Sequence, residues 1–186
     1  MTQKTIDAHF HIWRQQDQPW LRGPMVSRIF GPYEPIRRDY PITEFLEDQK
    51  GSGVEKAVYV QTNWAKEDFE KEVAWLQQTA DETGWPHAIV GYADVSVDDV
   101  RPQIDRLMKY KLLRGVRMQL HWHEVPEFRF APSPDQVIDP KVKKNVARLK
   151  DYGLSFDLQL FPNQMKDGLQ LVGENPEIDF ILTHCG

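Results

Sequence analysis

Six short apolar runs recur along the chain, each followed by a stretch whose apolar residues return at helical spacing, and this alternation restricts the fold more than any other feature. The strand-sized runs are Lys4 to His9, Lys56 to Thr62, Ala88 to Asp94, Arg114 to Leu120, Leu154 to Leu160 and Asp179 to His184. Between them the spacing predicts amphipathic helices over Thr43 to Lys50, Glu67 to Glu82, Asp98 to Tyr110, Lys141 to Tyr152 and Gln164 to Gly173. Glycines 53, 84, 153 and 173 follow the helix ends, and Asp98 and Pro140 stand near helix starts, where caps and stops belong. The order is βαβ, which demands a parallel sheet.

Parity within the strands then selects the kind of sheet. In the fourth run Val116, Met118 and Leu120 share one face, and Gly115, Arg117 and Gln119 the other. In the fifth, Leu154, Phe156, Leu158 and Leu160 oppose Ser155, Asp157 and Gln159. Strands buried between two helix layers would be apolar on both faces. One greasy and one polar face fit a (β/α)8 TIM barrel, with helices outside and a polar mouth within. From the first strand near residue 5 to the sixth near residue 179 the unit averages about 35 residues, so eight units need roughly the 250 residues typical of that barrel. The 186 residues supply six. The chain therefore reads as one domain, 1–186, of a barrel truncated after its sixth strand, with two raw edges across which a homo-oligomer could form.

Composition narrows the partners. With 23 basic and 28 acidic residues the net charge is −5, and no stripe of Lys or Arg interleaved with aromatics offers a nucleic-acid surface. Apolar runs such as Ala57 to Val60 fall far short of the ~18 to 20 residues that span a membrane. The polar start of the chain resembles no signal peptide, and a single cysteine excludes an internal disulfide. A cytoplasmic protein acting on a small molecule is the expectation, with no nucleic acid and no membrane as partner.

Chemistry begins at Asp7-Ala8-His9-Phe10-His11-Ile12-Trp13. Histidines at i and i+2 at a strand end point the same way, roughly 6 to 7 Å apart, so their imidazoles can converge on one divalent ion. His184 ends the sixth strand in the same relation. The competing reading is a pair of histidines satisfied locally. The position at the C-terminal mouth, where barrel enzymes place their chemistry, favours a site.

These residues, with Val58-Tyr59-Val60-Gln61, Gly91-Tyr92-Ala93-Asp94, Arg114-Gly115-Val116-Arg117, Phe156-Asp157-Leu158 and Ile181-Leu182-Thr183-His184-Cys185-Gly186, resemble the amidohydrolase superfamily, in particular its amidohydrolase 2 branch of TIM-barrel lactonases and decarboxylases. Members with two metals carry a lysine on the fourth strand and a histidine on the fifth. Here those strands offer Arg117, Gln119, Asp157 and Gln159, so a binuclear centre is not implied. The resemblance implies one divalent metal, zinc, held by His9, His11 and an aspartate of an eighth strand that six units do not reach. His184 would be a further ligand or would polarise the substrate; some similar lactonases keep the histidines without a metal.

The implied reaction is metal-assisted attack of water on a cyclic ester of a small carboxylated or sugar-acid substrate. The alternatives are non-oxidative decarboxylation and a catalytically incompetent fragment. Arg117 suits a substrate carboxylate, or pairs with Asp157 or Asp94. Gln61 and Gln119 can bind substrate oxygens or satisfy loops. His121, first of a second pair in His121-Trp122-His123, continues the parity of Arg117 and Gln119 and can reach substrate, whereas His123 turns away. Trp13, Trp20 and Trp64 form an apolar lid or merely pack. His87, at the opposite end, and Cys185, read as a small buried residue, are structural.

Overall fold

The computed structural model describes residues 4–185, without the side chain of Cys185. The polar start read from Met1 to Gln3 and the burial of Cys185 lie outside the described residues.

The strands are β1 (Thr5–Phe10), β2 (Val54–Val60), β3 (Ala88–Tyr92), β4 (Leu113–Arg117), β5 (Ser155–Leu158) and β6 (Phe180–Leu182). They form one parallel sheet in sequential order. The helices are α1 (Pro19–Arg22), α2 (Ile42–Asp48), α3 (Phe69–Thr83), α4 (Arg101–Leu107), α5 (Pro140–Ala147) and α6 (Met165–Gly173). Among the described residues β1 and β6 are the outermost strands and do not pair with each other.

The sheet is curled. Five gaps of about 4.8 Å would put β1 and β6 about 24 Å apart in a flat sheet, further than two side chains can bridge. Yet the ring of His9, on β1, stands 5.0 Å from that of His184, just past β6. This is the geometry of a barrel wall, an α/β half-barrel. The parity reading holds: Val116, Met118, Leu120, Phe156, Leu158 and Leu160 are buried in one apolar cluster with Val73 and Leu76 of α3, Ile104 and Leu107 of α4, and Val142 and Val146 of α5. Each fully buried Leu or Ile of this layer contributes about 1.5–3 kcal/mol.

Helix ends follow local chemistry. Gly84 and Gly153 close α3 and the 3-10 turn Arg148–Tyr152 in the left-handed region, at φ 80° and 63°. At the start of α5 the Asp139 carboxylate accepts from the backbone N–H groups of Lys141 and Val142.

Two long connections, 11–41 between β1 and α2 and 118–139 between β4 and α5, are pinned rather than slack. Trp13 and Tyr40 exchange backbone hydrogen bonds of 3.0 and 2.9 Å, which closes the first loop around α1. In the second, the buried Gln164 amide donates to the carbonyls of Leu120 (3.0 Å) and Pro134 (3.1 Å) and accepts from the N–H of Trp122 (2.7 Å).

Two expected boundaries shift. β4 stops at Arg117 rather than Leu120, and β6 stops at Leu182. His184 therefore lies in the 3-10 turn Thr183–Cys185 at φ 57°, a conformation uncommon for a residue with a Cβ.

Candidate active site

The C-terminal ends of the strands open into a cavity of about 610 Å³, within the range of small-molecule sites. His11, Arg117, Gln119 and His121 line it, as do Gln61 and His184, and Trp13 contributes from the loop after β1. Trp20 and Trp64 line it as well. His9 does not; it stands behind the lining, with its Nε2 buried and without a partner. His123 belongs to a separate, smaller hollow with Phe161 and Pro162. His87 lies at the opposite end of the sheet, where its Nδ1 accepts from the N–H of Ala57 (3.3 Å).

His11 carries the most informative hydrogen bond. Its Nδ1 lies 2.7 Å from the carbonyl oxygen of Val60, and because a carbonyl only accepts, Nδ1 bears the proton. The tautomer is thereby fixed and Nε2 is left as a bare lone pair, the arrangement by which a backbone carbonyl orients a metal-binding imidazole. The His9 ring stands edge-on to it at 4.9 Å. Burial first, then the nearby Arg117 guanidinium, hold His9 down at about 4 and His11 at about 3. Both rings are neutral at neutral pH, as ligation requires. His184 joins this group only by adjacency. Among the described residues no three His, Cys, Asp or Glu are grouped so as to hold a metal ion; the ring of His184 stands 5.0 Å from that of His9. The left-handed backbone at His184 takes it off the line of β6.

Arg117 is buried at 3 % exposure and donates from Nη2 to the Gln61 carbonyl at 2.6 Å. Among the described residues no ion pair joins it to Asp157 or Asp94, so the salt-bridge alternative does not apply. Its Nε has no partner, and neither has Asp157 Oδ1. Burial pushes the Asp157 carboxyl up to about 6 against the pull of Arg117. The Gln61 amide nitrogen, Gln159 Oε1 and His121 Nδ1 are likewise buried without partners. Most buried polar groups are satisfied; here several unsatisfied ones gather around one cavity, as expected where a polar ligand completes them.

Sequence reasoning missed the support beneath this site. Glu72 of α3, 1 % exposed, accepts from the Tyr59 hydroxyl (2.8 Å), the Thr62 N–H (2.7 Å) and the Thr62 hydroxyl (3.1 Å). Gln18 donates to Thr62 Oγ1, and the Trp20 indole donates to the Thr62 carbonyl at 3.0 Å. One buried carboxylate thus anchors β2 and, through Thr62, the loop carrying Trp20. Burial raises its pKa, opposed by these same hydrogen bonds. A lone glutamate in an amphipathic helix gives no sign of this.

The fold is a half-barrel of sequential parallel strands, with a His-x-His pair at the tip of its first strand and an arginine at the end of its fourth. A family model for amidohydrolases matches residues 6–186. The chain belongs to the amidohydrolase family. It is 36% identical over 183 residues to protein y4mH of Sinorhizobium fredii, described as uncharacterized, covering 97% of this chain and 62% of that protein. It is 24% identical over 180 residues to the L-fucono-1,5-lactonase of Burkholderia ambifaria, covering 97% and 56%. The chain thus spans roughly three fifths of the length of these relatives. An amidohydrolase of Burkholderia multivorans, solved with bound zinc, superposes with a TM-score of 0.70 at 23% identity, covering 96% of this chain and 56% of that one. Among the described residues no helix is long and apolar enough to cross a membrane.

Proposed function

We propose that this chain supplies the metal-holding and substrate-binding part of a hydrolase that opens a cyclic ester, the lactone of a small carboxylated or sugar acid. The carrying observation is the His11 Nδ1 bond to the Val60 carbonyl, which leaves one imidazole nitrogen free beside an unpartnered nitrogen of His9. Two neutral, oriented donors fit one divalent ion, and zinc prefers such nitrogen ligands. When bound there, the ion supplies Lewis acidity toward an ester carbonyl and toward water.

The remaining roles fall to the chain's own groups. Arg117 receives the substrate carboxylate with its free N–H groups; its guanidinium is already held by the Gln61 carbonyl, so it pays little ordering entropy on binding. The Gln61 and Gln119 amides hold ring or hydroxyl oxygens, and Trp13 covers the mouth. His184, whose pKa is lowered by burial and Arg117, donates a hydrogen bond to the oxygen on which charge develops. Water adds to the carbonyl carbon while its proton passes to the aspartate that the family resemblance implies on an eighth strand; the ring C–O bond then breaks, and that proton is returned to the leaving ring oxygen, giving the hydroxy acid.

The test is ring opening of sugar-acid lactones by the zinc-loaded full-length protein, followed as acid release. Turnover that His11→Ala removes supports the reading. Release of CO₂ from hydroxyaromatic acids without ring opening replaces it by a decarboxylase, and neither activity overturns it.

A further inference from the structure

The cavity has two unlike ends. The strand tips contribute polar side chains alone, while the loops after β1, β2 and β4 add Trp13, Trp20, Phe30, Trp64 and Phe130 together with the charged Lys66 and Glu127. The indole N–H of Trp13 is bonded to the Arg38 carbonyl (2.6 Å), and that of Trp20 to Gln18 Oε1 and the Thr62 carbonyl (3.0 Å each). These rings have no donor left for a ligand and offer only their faces. Trp64 differs: it is 9 % exposed, and its buried N–H has no partner. Phe30 and Phe130 line the same cavity yet remain 62 % and 46 % exposed, apolar surface that soluble proteins leave bare where something binds. Arg28 adds charge to this end. Its guanidinium sits 6.0 Å from the centre of the Phe130 ring, and its buried Nε is unpartnered.

A bare sugar lactone would meet the polar end and leave this aromatic end empty. We infer that the loop end is a subsite for a flat aromatic substituent of the substrate, and that Arg28 and the Trp64 N–H read an anionic or acceptor group carried on that substituent. Aromatic faces take planar rings by stacking and edge contact, and a guanidinium beside an aromatic ring is placed for a carboxylate. The substrate class is then an aryl-bearing cyclic ester, with a second acidic group on the aryl ring. The reacting ester rests on the hydrolase reading above; the subsite does not.

Hydrolysis-resistant lactams separate the two. The probes are 2-pyrrolidinone, 5-phenyl-2-pyrrolidinone and its 4-carboxyphenyl counterpart, with binding to the full-length protein read by calorimetry. Affinity is expected to rise at least tenfold on adding the phenyl group and severalfold more on adding the carboxylate. Arg28→Gln should remove the second increment alone, and Trp20→Phe should reduce the first while leaving the second. Equal binding of the first two probes overturns the subsite, as does a carboxylate increment that survives Arg28→Gln. The unfolding midpoint of each variant identifies loss of fold, and the exposed Phe30→Ala then serves as the alternative for the phenyl increment. Failure to hydrolyse any lactone, with both increments intact, refutes the reaction and leaves the subsite standing.

Discussion

The same tripeptide pattern, His-x-His, stands at two strand tips of this sheet, and the structure treats the two pairs differently. On β1, His11 is clamped through Nδ1 by the Val60 carbonyl and His9 packs edge-on against it. Beyond β4, the His121 ring lies between Phe130 and Phe161, with centroids 4.8 and 5.1 Å away, and its Nδ1 is unpartnered. His123 has left for another hollow, where its Nδ1 accepts from the N–H of Val125 at 3.0 Å. The first pair straddles the end of β1, flanking Phe10, which still pairs with Tyr59 of β2; β4 has ended at Arg117, so no pleat holds the second pair on one side. A ligand pair requires the spacing and also a backbone that keeps both rings facing together.

The largest effect should come from breaking the first pair and sparing the second. His11→Ala is expected to weaken zinc binding at least a hundredfold in a competition titration, the scale on which loss of a direct ligand exceeds the 10–100-fold cost of disturbing an outer partner. His121→Ala should leave zinc affinity within a few fold. Equal losses would abolish the distinction.

A second expectation concerns the support under β2. Glu72→Ala removes the acceptor of three buried hydrogen bonds, and unfolding in urea should register a loss of about 3 kcal/mol or more. Glu72→Gln keeps an acceptor and should lose about half as much. An unchanged midpoint in Glu72→Ala would show that this carboxylate anchors nothing. Among the described residues no such carboxylate stands beneath the second pair, whose loop is tied by the neutral Gln164 amide.

How much of this was readable beforehand depends on the range of the interaction. Strand order, the greasy and polar faces of β4 and β5, and the His-x-His pair are written within a few residues, so periodicity exposes them. The His11 clamp depends on a carbonyl 49 residues away, and the Gln18 to Thr62 bond spans 44; no local pattern encodes either. The departure of His184 from the line of β6 was equally hidden, because its sequence reads as a strand continuing to its tip. α1, four residues inside a proline-rich loop, is too short for helical spacing to show.

The smallest expected effect is one the two pairs share. His11 and His121 are held at about 3 and 4 in the fold, chiefly by burial, against 6.5 when unfolded. The unfolded chain therefore binds more protons across that window, and stability present above pH 6.5 is lost as the pH falls toward those values. Between pH 7 and 5 His11 alone should account for about 2 kcal/mol. His11→Asn should flatten the stability profile over this range, and a profile as steep as that of the parent protein would contradict the burial of this ring.

The central claim is that the β1 histidines, and not those after β4, are the ones built to hold an ion. Anomalous diffraction at the zinc edge from crystals of the zinc-loaded protein tests it most directly. The account predicts a peak about 2.0–2.1 Å from one nitrogen each of His9 and His11. A peak on His121 or His123 instead, or none at the β1 pair, would contradict it.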